Sequence, residues 1–236
     1  CVDETIRQLT EEMDCMKLHG YTSAQGDMET RAAIADFLNK THGTSLGADD
    51  FYITMGAAAS LSIAFRALTT STEDEYITIA PFFPEYKVFV EATGASLKVV
   101  PADTENFQID FEKLEAMVNE HTKAIIVNSP NNPSGAVYSV ETIQKLADLL
   151  RCKEAEYGHP IFIISDEPYR EIAYDGVEVP FVTKYYANTL VCYSYSKSLS
   201  LPGERIGYIL VPQEAFESKA LYAAVAGAGR ALGSVC

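Results

Sequence analysis

The chain has 236 residues, of which 47% are hydrophobic and 22% charged, enough apolar material for the core of one large or two small domains. A formal net charge of −15 disfavours binding to a phosphate backbone. No apolar run is long enough to span a bilayer, and the opening CVDETIRQLTEEMD has neither a basic region nor an apolar signal core.

Residues 2–18 read as an amphipathic helix with Ile6, Leu9, Met13 and Met16 on one face. Asp27 is placed to cap a second helix reaching about Thr41, whose apolar stripe is Ala33, Ile34, Phe37 and Leu38. Strands and helices then alternate. Strands are expected at 51–54, 76–80, 96–100, 124–128, 161–165, 190–194 and 207–211, and helices at 57–69, 84–93, 110–119, 139–157 and 213–231. Strands that are apolar almost throughout, such as AIIVN and IFIIS, suit a largely parallel sheet covered on both faces. Ligands of such sheets sit beyond the carboxyl ends of the strands, so chemical residues are expected just after them. The five cysteines, Cys1, Cys15, Cys152, Cys192 and Cys236, form no CxxC pair, which fits a reducing cytoplasm better than a disulfide framework or a zinc site. The chain starts inside a polar helix and stops just after an Ala-rich one, which is the appearance of a fragment.

Three short patterns fail on context. Gly43-Thr44-Ser45-Leu46-Gly47 matches a nucleophile elbow but follows a helix and precedes a strand, so it reads as a helix-terminating loop. Gly227, Gly229 and Gly233 have the wrong spacing for a dinucleotide loop, and no strand precedes them. Asn39-Lys40-Thr41 is a glycosylation sequon with nothing else to suggest secretion.

The residues that follow the strands carry more. Lys197, in Ser194-Tyr195-Ser196-Lys197, stands where a lysine can be desolvated and form a Schiff base, although a solvated loop lysine is the ordinary alternative. Asp166 ends an apolar run and needs a cationic partner or exposure; a protonated pyridine nitrogen would serve, as would a helix N-cap or a metal. Asn128-Ser129-Pro130-Asn131-Asn132-Pro133-Ser134-Gly135 is either a turn or a way of aiming the Asn132 amide at a phenolic oxygen or a substrate carboxylate. Gly56-Ala57-Ala58 opens a helix with residues small enough to admit a phosphate, or merely to pack. Phe83 can stack on a flat ring or join the core, and Arg205 can grip a phosphate or form a surface ion pair.

Taken in order, NSPNNPSG, SDEPY and SYSKSLSLPGERIGY resemble the aspartate-aminotransferase-like family of fold type I pyridoxal-phosphate enzymes, from about Tyr21 to about Pro212. The resemblance implies a three-layer α/β/α fold with a mostly parallel seven-stranded sheet, one strand antiparallel, and a cis Asn132–Pro133 bond. It implies that residues 1–236 are the cofactor-binding large domain, without the N-terminal segment and the C-terminal small domain. By the same resemblance Lys197 holds pyridoxal 5'-phosphate as a Schiff base and moves the proton, and Asp166 pairs with the pyridinium nitrogen. Tyr169 and Asn132 bond the phenolic oxygen, and Phe83 stacks on the ring. The backbone at Ala57 and Ala58, with Ser194, Ser196 and Arg205, holds the phosphate, and Tyr21 reaches the phosphate of a neighbouring subunit in a homodimer. The expected reaction is transfer of an amino group from an amino acid to a 2-oxo acid. A C–S β-lyase or a decarboxylase of the same fold, or the aminotransferase-like domain of a transcriptional regulator, stays open.

Overall fold

The computed structural model describes residues 2–14 and 18–234. A first helix, α1 (Val2–Glu12), is shorter than expected and buries none of its residues; Val2, Ile6 and Leu9 stand exposed, and Met16 lies outside the described residues. Helix α2 (Met28–His42) begins where Asp27 accepts from the Thr30 N–H, and it ends at Gly43 in the left-handed conformation (φ 66°). Asn39, the sequon residue, spends its side chain on Leu46 and Thr44 in the loop that follows.

The remaining elements are β1 (Phe51–Thr54), α3 (Ala57–Leu68), β2 (Glu75–Ile79), α4 (Glu85–Glu91), β3 (Ser96–Val100), α5 (Phe111–Met117), β4 (Thr122–Asn128), α6 (Val140–Tyr157), β5 (Phe162–Asp166), β6 (Thr189–Ser194), α7 (Tyr195–Ser198), β7 (Gly207–Leu210) and α8 (Ser218–Ala231). The strands form one sheet in the order β1-β7-β6-β5-β4-β2-β3, with β7 antiparallel to both neighbours and the other pairs parallel. Both faces are covered. On one, Leu61 and Phe65 of α3, Tyr86 and Val90 of α4 and Val225 of α8 pack on Tyr52, Ile126, Ile164, Leu190 and Cys192. On the other, Leu114 of α5 and Ile143 and Leu146 of α6 cover Ile125, Val127 and Ile163, while Ile34 and Leu38 of α2 cover Phe51, Val191 and Tyr208. Alternate residues of each central strand therefore enter opposite cores, which is why these strands are apolar without a period of two.

One further expected boundary moves by several residues. Helix α8 starts at Ser218 rather than 213, because Glu217 sits in the left-handed region (φ 46°) and the preceding residues form turns. Gly227 and Gly229 lie inside that helix; a Cβ at Gly229 would meet the Tyr52 ring, so this glycine lets α8 press close to β1.

Candidate active site

Sheet register assembles the site. Asn128, Asp166 and Cys192 are paired neighbours at the carboxyl ends of β4, β5 and β6. Strand β7 runs the other way, so its amino end, Gly207, pairs with Ser194 at the end of β6 and with Thr54 at the end of β1. That reversal brings Arg205, which precedes a strand, to the same edge as residues that follow strands.

Around Arg205 the chain makes a small cationic cradle. Arg205 itself is left-handed (φ 54°), held after the turn Pro202–Glu204. One guanidinium nitrogen donates to the Met55 carbonyl (3.1 Å); the other donates to the Pro202 carbonyl (3.0 Å) and lies 3.4 Å from Ser196 Oγ. Ser196 Oγ is 2.7 Å from Ser194 Oγ. Helix α3 opens against this cluster with Gly56 at its N-cap (φ 91°) and no capping side chain, so its first N–H groups are not claimed by a cap. A Cβ at Gly56 would stand 2.7 Å from the Arg205 guanidinium and 3.4 Å from Ser194 Oγ. A helix N-terminus, two hydroxyls and a guanidinium facing one another suit an anion.

Next to it lies Asp166, 5% exposed. Its Oδ2 accepts from the Tyr86 hydroxyl at 2.5 Å, and its Oδ1 is buried with no hydrogen-bond partner among the described residues. Burial raises its pKa to about 7, Glu167 adds to the rise, and Tyr86 opposes it. Buried acceptors without a donor are uncommon in folded chains, so this oxygen asks for one. Asn128 braces the surroundings: its amide donates to the Asp166 carbonyl (2.9 Å) and its oxygen accepts from the Asn132 N–H (2.7 Å). The Asn132–Pro133 bond is cis, as expected, and so are Ala80–Pro81 and Ser129–Pro130. Tyr169 is half-buried, its hydroxyl pKa raised by burial and by the nearby Asp166 charge. Phe83 stands edge-on to the Tyr86 ring, 5.6 Å between centroids.

Lys197 lies on the single turn α7 between Ser196 and Ser198. Its side chain is exposed rather than desolvated, and it forms no ion pair among the described residues. Ten of the eleven candidate residues thus cluster at one sheet edge. Tyr21 does not join them: it is 97% exposed and lines a separate cavity of about 1300 Å³ with Arg31, Asp50 and Tyr222. Sequence reasoning missed Tyr86 and Asn128. Tyr86 had one available signal, a polar-tipped aromatic three residues beyond Phe83, where a helical turn returns it to the same face.

Comparison with known proteins identifies the family. Residues 1–231 match the family described as "Aminotransferase class I and II". The chain belongs to that family. It is 31% identical over 85% of its length to the aspartate/prephenate aminotransferase of Thermus thermophilus, covering 50% of that protein. It is 30% identical over 82% of its length to a probable N-acetyl-LL-diaminopimelate aminotransferase of Bacillus subtilis, covering 48% of it. The chain therefore spans about half the length of the curated relatives it matches. Among solved structures, an amino transferase from Eubacterium rectale superposes with a TM-score of 0.98 at 71% identity, over all of this chain and 59% of that one. Thermus thermophilus aspartate aminotransferase with maleate superposes at 0.84 and 27% identity, over 99% and 57%. The family's cofactor is pyridoxal 5'-phosphate. The residues present fit it: the orphaned Asp166 Oδ1 is an acceptor suited to a pyridinium N–H, and the Gly56–Arg205 cradle is of a kind that takes a phosphate. Among the described residues no helix is long and apolar enough to cross a membrane.

Proposed function

We propose that residues 1–236 are the pyridoxal-phosphate-binding large domain of an aminotransferase that moves an amino group from an amino acid to a 2-oxo acid, working as a homodimer in the cytoplasm. The observation that carries this reading is the buried Asp166 carboxylate with an unpartnered oxygen at the end of β5, beside the anion cradle and the Lys197 turn.

When bound, the cofactor supplies an electron sink for the pair left as the substrate Cα–H bond breaks. The chain's own residues do the rest. Asp166 Oδ1 would accept a hydrogen bond from the ring N–H and so keep that nitrogen protonated and cationic, while Tyr86 and Asn128 hold Asp166 in place. Tyr169 and Asn132 offer donors to the phenolic oxygen, and Phe83 flanks the ring. The N–H groups of Ala57 and Ala58, the hydroxyls of Ser194 and Ser196, and Arg205 fix the phosphate. Lys197 would attach the cofactor covalently, and its amine would move the proton between the substrate Cα and the cofactor's C4′. The relatives named for aspartate make that amino acid the first donor to try.

The test uses the intact protein. It should be yellow, and borohydride should fix the cofactor to the one peptide containing SYSK. Lys197→Ala should keep phosphate-dependent binding but lose the reducible link and at least about a thousandfold in turnover, because one amine serves both attachment and proton transfer. Lys197→Arg should not rescue it, since a guanidinium stays protonated. An assay with aspartate and 2-oxoglutarate that yields the matching keto acid supports transamination. Pyruvate and ammonia from a cysteine conjugate would mean lyase chemistry, and attachment at Lys184 or Lys219 would overturn the assignment.

A further inference from the structure

A polar chain, buried at Glu167, Arg170 and Tyr193 and partly open at Glu171 and Ser198, runs beneath the site, and the mechanism above does not use it. It starts at Ser198, the residue after Lys197, whose Oγ is 2.7 Å from the Tyr193 hydroxyl. Tyr193 donates to Glu171 Oε2 (2.8 Å), which commits its proton and leaves Ser198 as the donor to Tyr193. Arg170 Nε donates to the other Glu171 oxygen (3.1 Å), and its Nη1 donates to Glu167 Oε2 (2.7 Å). Ser165 Oγ closes the far end on Glu167 Oε1 (2.6 Å). Arg170 also lies over the Tyr193 ring, 4.6 Å from its centroid, and bonds the Tyr208 hydroxyl (3.1 Å).

The members are sequence neighbours of the site residues: Glu167 follows Asp166, Arg170 follows Tyr169, and Ser198 follows Lys197. The turn that bears Lys197 is one helical turn long and buries none of its residues, so its own hydrogen bonds cannot fix its direction. It is pinned on two sides. Ser196 ties it to the Ser194–Arg205 cradle, and Ser198 ties it through Tyr193 and Glu171 to the loop that follows Asp166 and carries Tyr169. Lys197 sits between the two pins.

Building on the reading above, we propose that Tyr193 is a positioning residue: its hydroxyl, clamped between Ser198 and Glu171, holds the Lys197 turn at a fixed reach from the Asp166–Tyr169 loop. The clamp acts on the covalent attachment of the cofactor, not on the grip of its phosphate, which belongs to the other pin.

The experiment uses the intact protein, cofactor-free, with Tyr193→Phe, Ser198→Ala and Ser198→Thr. Tyr193→Phe keeps the ring under Arg170 and removes only the hydroxyl. Two quantities are measured: the rate at which the visible band grows on adding pyridoxal phosphate, and the dissociation constant of pyridoxamine phosphate, which has no carbonyl for the lysine to attack. Attachment should slow about fivefold or more in Tyr193→Phe and Ser198→Ala, because small misplacements of a reacting group are costly. Pyridoxamine phosphate should bind within about twofold of the parent, since its anion contacts are intact. Ser198→Thr, which keeps the hydroxyl, should attach at near the parent rate. Should Tyr193→Phe fail to fold, the Ser198 pair decides alone. Unchanged attachment in the variants, or pyridoxamine phosphate weakened by the same factor as attachment, overturns the proposal. Lys197→Ala run alongside separates the two readings: a reducible adduct surviving there sinks the proposed function, whereas its loss there with parent-like rates in Tyr193→Phe sinks only the clamp.

Discussion

Asp166 is asked to be charged in a place that penalises charge. Burial lifts its pKa to about 7, from an ordinary value of 3.8, and among the described residues Tyr86 is the one donor to its carboxylate. In the cofactor-free protein this makes a stability dependence with a definite sign. The folded pKa lies above the unfolded one, so between the two values the native state binds more protons than the unfolded chain, and stability falls as pH rises. The contribution is fully present below about pH 4 and is lost as pH passes about 7, with a ceiling on the order of 4 kcal/mol at 1.36 kcal/mol per unit. Asp166→Asn cannot titrate there. Urea unfolding of the cofactor-free protein at pH 5.5 and 8.5 should therefore show the parent losing stability relative to the variant; parallel curves would mean that the carboxylate is better solvated than its geometry says. Asp166→Asn should also abolish turnover while leaving much of the cofactor affinity. Tyr86→Phe takes away the donor to a charged group, a loss of about 1.5–3 kcal/mol, so turnover should drop roughly 10- to 150-fold with the fold intact. Wild-type kinetics in that variant would remove Tyr86 from the site.

At the level of elements, the cradle depends on how α3 meets β6 and β7. Gly56 is the hinge of that meeting: it takes φ 91°, and the Arg205 guanidinium occupies the space in which its Cβ would stand. Gly56→Ala is expected to cost about 1–3 kcal/mol in backbone strain and to push Arg205 off the anion position, weakening pyridoxal phosphate by at least about tenfold. Equilibrium dialysis and chemical denaturation read the two effects separately, and unchanged affinity in a folded variant would detach Arg205 from the cradle. The sequence makes the strand-end residues readable because an apolar run leading into Asp166 or Ser194 is a local pattern. It does not make Tyr86 readable as the partner of Asp166, eighty residues away, because that contact exists only once β2 and β5 are set on either side of β4 and α4 is folded over them. The same holds for Ser198 and Arg170, which meet through Tyr193. Helix α1 shows the converse: its period is plain in the sequence, but a period reports a face that would be buried, not what buries it, and here Val2, Ile6 and Leu9 stay exposed.

For the whole molecule, the reversed strand β7 is a feature that local patterns could not supply; the family resemblance implied one antiparallel strand without saying which, and the reversal of β7 puts Arg205 at the active edge. Tyr21 poses the matching question between molecules. It is 97% exposed and apart from the cradle, as a residue would be if its target lay on another subunit. If each site takes Lys197 from one chain and Tyr21 from its partner, two defective chains can complement each other. Tyr21→Phe alone should weaken the cofactor about tenfold by removing one hydrogen bond to a charged phosphate, and Lys197→Ala alone should be inactive. Refolding the two variants together gives hybrids in which one site carries both defects and the other carries neither. With random pairing in a two-fold dimer, about a quarter of all sites are then fully native. At cofactor concentrations too low to load Tyr21→Phe, the mixture should regain about that fraction of parental activity, although each variant alone has almost none. Tyr21 acting within its own chain predicts a different result: every hybrid site then has either no lysine or no tyrosine, and mixing restores nothing. The activity of the mixture at limiting cofactor thus decides whether the site is completed by a second copy of the chain.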